Sequence, residues 1–217
     1  MRTRTRAALT CSVAVWLTLA VAACGGNTSP SAPAPTPTTP LPKLDDMLAE
    51  KVMGDPAAPV TMIEYSSLTC SHCGDFNVIT LPLLKATYID TSRMKLVYRD
   101  FPLDNGAMSA SMVARCSGDR FFTVIGRLYE QQNTWSLSAD VTAGLKKVVA
   151  PLGMTSDDVD ACLADGDLRN GILGIRNAGA QQFGVNATPT FIVNGRVIVG
   201  ALSYAEFDAV IKAALGG

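Results

Sequence analysis

The sequence predicts an α/β fold that carries an inserted all-helical subdomain. Three observations lead there. Short runs rich in strand formers occur at 60–65 and 94–99, and again at 190–193 and 196–199. The stretch between them, 104–184, holds no strand signal and reads as helices, too long for one crossover helix. A Cys-x-x-Cys pair, Cys70-Ser71-His72-Cys73, stands where the first of these strands gives way to a helical pattern. With 217 residues, 48% hydrophobic and 17% charged, the chain can bury a core of its own.

The N-terminus is read apart from the fold. Residues 1–23 open on the basic MRTRTR, continue through the apolar run Ala7 to Ala23, and end on Val21-Ala22-Ala23 before Cys24. That is the pattern of a bacterial lipoprotein signal peptide, with Cys24 as the lipidated residue. The alternative is an uncleaved anchor near the lower length limit for spanning. Removing Arg2, Arg4 and Arg6 leaves 15 basic against 19 acidic residues, a net charge of about −4. With no basic face, a nucleic-acid partner is not expected. One histidine, His72, excludes a metal site built on several.

Residues 24–43 then read as the lipidated cysteine and a proline-rich tether, with Pro30, Pro33, Pro35, Pro37, Pro40 and Pro42. Extended at about 3.1 Å per residue, its eighteen residues 25–42 reach roughly 55 Å. The folded domain, 44–217, begins near Leu44. Val60 to Tyr65 forms a strand, and Cys70 to Ile89 a helix kinked at Pro82. Met94 to Arg99 forms a second strand. The insertion, at about 104–184, holds helices at Met108 to Cys116, Phe121 to Gln132, Val141 to Leu152 and Ser156 to Phe183, with Asp140 and Ser156 as N-caps. Thr190 to Val193 and Arg196 to Val199 form a hairpin about Asn194-Gly195, the favoured type I′ turn. Ser203 caps a last helix, Tyr204 to Leu215.

The chemistry follows from the Cys-x-x-Cys placement. A dithiol exchanger needs one exposed, ionised thiol. A helix start offers unpaired N–H groups and a positive partial charge, which favours a thiolate at Cys70. Bringing a thiol from about 8.5 to about 5 takes roughly 4.8 kcal/mol, whereas a helix end supplies at most about 2. His72, by donation or positive charge, and direct N–H donors must therefore share the work. Cys73 is the resolving thiol behind Cys70. Two competing readings exist: a zinc site that adds Cys116 and Cys162, and a purely structural short-loop disulfide, a poor staple. Six cysteines less Cys11, which leaves with the leader, and Cys24 leave an even four, as suits an exported, oxidising setting.

The segment Glu64-Tyr-Ser-Ser-Leu-Thr-Cys-Ser-His-Cys73, the stretch Tyr98-Arg-Asp-Phe-Pro-Leu103, Thr188-Pro189 before a hairpin, and the helical insertion together resemble the DsbA-like thiol:disulfide oxidoreductases. The resemblance covers about residues 50–215. It implies a thioredoxin-like fold with a helical insertion, and a catalytic group of Cys70, Cys73, His72 and Pro189. It implies a cis peptide before Pro189, with the Thr188 backbone offered to a substrate strand. It also implies a structural disulfide between Cys116 and Cys162, and a buried Glu64 that relays a proton for Cys73. The bland readings are free buried thiols at Cys116 and Cys162, an ordinary loop proline at Pro189, and an exposed or ion-paired strand carboxylate at Glu64. Many members carry proline where Ser71 stands. If the Ser71 N–H serves the thiolate, proline there raises the Cys70 pKa by about one unit or more.

The expected function is oxidation of reduced exported proteins at the cell envelope. The redox-active disulfide Cys70–Cys73 needs no added cofactor. A membrane quinone-linked thiol oxidase of DsbB or VKOR type would reoxidise it, by family analogy. A tether in the N-terminal place where isomerases of this fold usually carry a dimerisation domain favours a monomer. A reductase or isomerase of the same fold, or a non-catalytic client-binding module, is the alternative.

Overall fold

The computed structural model describes residues 40–216. The expected leader, Cys24 and residues 25–39 of the tether lie outside the described residues. Five strands form one sheet in the order β1-β3-β2-β4-β5. They are β1 (Lys51–Met53), β2 (Val60–Ser66), β3 (Met94–Asp100), β4 (Thr190–Val193) and β5 (Arg196–Val199). β2 and β3 run parallel, and every other pairing is antiparallel. β2 lies at the centre, with Glu64 opposite Tyr98 on one side and Phe191 on the other. β1 was not expected from the sequence. Three residues ahead of Gly54 are too few to show alternation, and pairing with β3 makes the strand.

Helix α1 (Leu44–Leu48) precedes the sheet. Packing begins earlier than the tether reading allowed, because Leu41 already lies against the helical core. α2 (71–89) crosses from β2 to β3 and is irregular. α-helical turns at Ser71–Asp75 and Leu81–Leu84 alternate with π turns at Phe76–Thr80 and Lys85–Ile89. Pro82 cannot donate into the ladder, and the widened turn before it takes up the mismatch, with Leu81 N–H bonding Phe76 O, five residues back.

The insertion comprises α3 (Asn105–Cys116), α4 (Phe121–Glu130), α5 (Gln132–Ser136), α6 (Val141–Val149), α7 (Ser156–Leu163) and α8 (Gly166–Phe183). Asp140 caps α6 as expected, accepting from Ala143 N–H at 2.9 Å. Three sequence readings are corrected. α7 is capped by Thr155, one residue earlier than Ser156, through a reciprocal capping box with Asp158. The single helix expected over Ser156 to Phe183 is two, because Asp165 accepts Leu168 N–H and starts α8. α3 starts at Asn105 rather than Met108, because Asp104 accepts Ala107 N–H.

Two large cores pack about the sheet, beside a smaller cluster of Tyr65, Phe101, Val185 and Ile192. One gathers α1 and the insertion around fully buried Trp135 and Leu128. The other joins α2, the sheet and α9 (Tyr204–Gly216). There Phe76, Phe191 and Phe207 stack with ring centroids 4.5–5.4 Å apart. Ser203 and Glu206 cap α9 reciprocally. The hairpin turn holds Asn194 and Gly195 both at positive φ, as a type I′ turn requires. Gly179 of α8 lies so close to the Tyr65 ring that a Cβ there would overlap it. No helix among the described residues is long and apolar enough to cross a membrane.

Candidate active site

β2 delivers the chain to the start of α2, and Cys70 is the N-cap residue there. Its sulfur is half-buried, whereas Cys73, one turn on, is fully buried. The hydrogen bond Cys73 gives it brings Cys70 down to about 5, helped by the Thr188 hydroxyl and the backbone N–H groups of Cys73 and His72, against partial burial. Burial, together with the bond it gives to Cys70, pushes the Cys73 thiol above the free-thiol range. The two sulfurs thus divide the states: one poised as thiolate, the other held as thiol.

Across from α2 lies the loop that follows α8. The Thr188–Pro189 peptide is cis. As a thiol, Cys70 Sγ donates to Thr188 O at 3.3 Å. Thr188 Oγ1 is buried and has no partner in the neutral arrangement. An anionic sulfur gives that hydroxyl an acceptor, and loss of the proton ends the bond to the carbonyl.

Beneath the sulfurs sits a buried polar layer. Glu64 is fully buried. Asn77 Nδ2 donates to Glu64 Oε1 at 2.8 Å and to Cys73 O at 3.0 Å, tying the acid to the helix turn that carries Cys73. Burial raises Glu64 to about 7, with bonds from Ser66 and Asn77 opposing. Ser66 Oγ lies 2.8 Å from Tyr129 OH, which lies 3.3 Å from Tyr98 OH. Burial keeps both phenols well above their usual range, so they act as neutral hydroxyls. The layer can hold one proton near Cys73 at neutral pH.

The expected residues do not all converge. The His72 ring faces solvent, with 75% of its side chain exposed and Nδ1 4.0 Å from Asp75. Its backbone N–H, rather than its imidazole, serves Cys70. Ser71 is exposed, and its N–H is not among the donors that stabilise the sulfur. Cys116 and Cys162 form a disulfide with Cα atoms 6.3 Å apart, which removes both from any zinc site with Cys70 and Cys73.

Other residues matter that the sequence did not single out. Gln132, from the insertion, donates Nε2 to both Leu68 O and Cys70 O at 2.9 Å. Gly74 makes room for it, since a Cβ there would stand 2.9 Å from Gln132 Oε1. Thr69 donates to Asp104 at 2.5 Å, fixing the residue before Cys70. Asn77 was legible in principle, four residues beyond Cys73 on the same helix face. Nothing local marks Gln132.

A family model described as thioredoxin matches residues 47–213. The chain belongs to this family. A Rickettsia bellii relative, named for an inferred protein-disulfide oxidoreductase activity, is 30% identical over 148 residues. That match covers 67% of this chain and 57% of the relative, so the chain spans little more than half the length of that protein. A Bacillus cereus relative, named as a probable disulfide bond formation protein D, is 25% identical and covered over 76% of both chains. The crystal structure of Wolbachia pipientis alpha-DsbA1 has a TM-score of 0.72 at 29% identity, covering 77% of this chain and 91% of that one. The fold is the thioredoxin-like fold with a DsbA-type helical insertion.

Proposed function

We propose that this chain is a thiol:disulfide oxidase acting on exported proteins at the bacterial cell envelope. The observation that carries the reading is the paired state of the two thiols, Cys70 lowered to about 5 and Cys73 held protonated beside a buried acid. A reduced form stabilised in this way makes the Cys70–Cys73 disulfide a strong electron acceptor. A client thiolate attacks Cys70 Sγ, the internal S–S bond breaks, and its electron pair goes to Cys73, which takes a proton. Glu64, near neutrality, supplies that proton and is reprotonated from solvent. The second client thiolate then attacks the client sulfur of the mixed disulfide, and Cys70 leaves as a thiolate. Two electrons pass from client to protein; one proton rests on Cys73 and the other goes to solvent.

No organic cofactor takes part. Lipid attachment at Cys24 would hold the domain at the membrane through the tether, within reach of a quinone-linked thiol oxidase of DsbB or VKOR type that returns it to the disulfide. The names of the relatives support disulfide exchange, and the site chemistry favours oxidation over reduction or isomerisation. The test is twofold. At pH 5–6, iodoacetamide is expected to label Cys70 of the reduced protein and spare Cys73. Equilibration with glutathione is expected to give a potential well above that of a reductase. Equal labelling of the two cysteines, or a potential near −270 mV, the reductase range, would overturn the proposal.

A further inference from the structure

Beside the nucleophile, on the side of the β3–α3 loop, lies a groove of about 440 Å³. Leu103, Asp104 and Met108 form one wall, and Arg169, Leu173 and Arg176 of α8 form the other. The groove is fastened to the active-site segment. Asp104 accepts from Thr69, the residue before Cys70, and Leu103 N–H donates to Ser67 Oγ at 3.3 Å. Its near end is therefore one residue from the reacting sulfur.

Its charge is unspent. Arg169 and Arg176 are two helical turns apart, so both guanidinium groups face one side of α8. Among the described residues, neither forms a salt bridge. Arg176 lies over the Phe101 ring at 5.2 Å, and its Nε is buried with no hydrogen-bond partner. The one carboxylate lining the groove, Asp104, is already committed, with one oxygen to Ala107 N–H and the other to Thr69. Beside the cations Leu103 is 51% exposed. Two cations without a carboxylate partner, beside an exposed leucine, suit an extended polypeptide that carries acidic and apolar side chains.

We infer that Arg169 and Arg176 select client segments with acidic residues flanking the reactive cysteine. The inference rests on the oxidase reading and specifies its substrates. The arginines are about 10 Å apart along the helix. At about 3.3 Å per residue, an extended client spans that distance with side chains about three residues apart.

The experiment uses the oxidised protein and two single-cysteine peptides, identical except for Glu or Lys at alternate positions through the residues that flank the cysteine on both sides. Mixed-disulfide formation is followed by acid quench and chromatography. Each rate is divided by that of the same peptide with hydroxyethyl disulfide, which removes differences in peptide thiol ionisation. At low ionic strength the Glu peptide is expected to react about fivefold faster than the Lys peptide, and added salt to shrink the ratio. The ratio is expected to fall below one in Arg169→Glu/Arg176→Glu. Because Arg176 packs on Phe101, Arg169→Gln is read as well and is expected to lower the ratio part-way. A corrected ratio near one in the unaltered protein, or one unmoved in both variants, overturns the inference and leaves the oxidase reading standing. Failure of the oxidised protein to react with either peptide, or with dithiothreitol, removes both.

Discussion

Replacing Thr188 with valine isolates one contribution to the Cys70 thiolate. The side-chain shape is kept, and the buried hydroxyl becomes a methyl. In the neutral site that hydroxyl has no partner, so its work is reserved for the anion. A hydrogen bond to a charged group contributes about 1.5–3 kcal/mol, or about 1–2 pKa units at 1.36 kcal/mol per unit. Cys70 is only half-buried, which places the effect at the lower end. The Cys70 pKa is thus expected to rise from about 5 to about 6. It stops there because the Cys73 thiol and the N–H groups of Cys73 and His72 remain. The same loss makes the protein less oxidising by about 30 mV, the two-electron equivalent of about 1.4 kcal/mol. Thiolate absorbance at 240 nm against pH, read for both proteins, measures the first quantity. Equilibration with glutathione measures the second. A pKa shift under about 0.3 unit, or one downward, would refute the assignment of the hydroxyl to the thiolate.

Three further outcomes follow from the same geometry. Glu64 is raised from 4.5 to about 7 in the fold, so its contribution to stability is whole below pH 4.5 and is lost as pH rises through about 7. Glu64→Gln should therefore gain about 3 kcal/mol in urea unfolding at pH 8 and almost nothing at pH 4.5, and it should slow opening of the Cys70–Cys73 disulfide by a client thiol; equal gains at both pH values would count against the buried acid. Cys116→Ala/Cys162→Ala opens a 46-residue loop and should cost about 4 kcal/mol of stability while the Cys70 titration at 240 nm stays in place. Ser71→Pro puts proline at the first helical position, where its missing N–H is tolerated, and should leave the Cys70 pKa within about 0.3 unit; a rise of a unit would show that the Ser71 amide serves the sulfur after all.

Much of the architecture was legible in the sequence, and the reasons are local. β2, β3 and the β4–β5 hairpin are dense in β-branched and aromatic residues, and Asn194-Gly195 admits only a few turn geometries. The misreadings fall where local signals compete. Thr155 and Ser156 are both capable N-caps, and only the reciprocal bond to Asp158 decides between them. Ala164 and Asp165 do not interrupt an apolar pattern, so the break between α7 and α8 becomes visible once Asp165 accepts Leu168 N–H. β1 exists through its pairing with β3, a contact more than forty residues away in the chain.

The site divides along the same line. The placement of Cys70 at a helix start was readable because a strand and a helix abut there. The roles inside that turn were not, because they depend on directions a sequence does not carry. His72 lies between the two cysteines, and spacing alone admits its ring or its amide as the donor. The fold turns the ring toward Asp75 and solvent and leaves the amide facing the sulfur. Gln132 lies 62 residues from Cys70 in the chain, yet it holds the Cys70 and Leu68 carbonyls at 2.9 Å. Those carbonyls fix the backbone that presents the sulfur, so the insertion does more than shelter the thiol: it sets the geometry of the turn in which the thiolate forms. An insertion that merely covered the sheet would need apolar side chains at this contact, whereas this one places an amide where two active-site carbonyls need a donor.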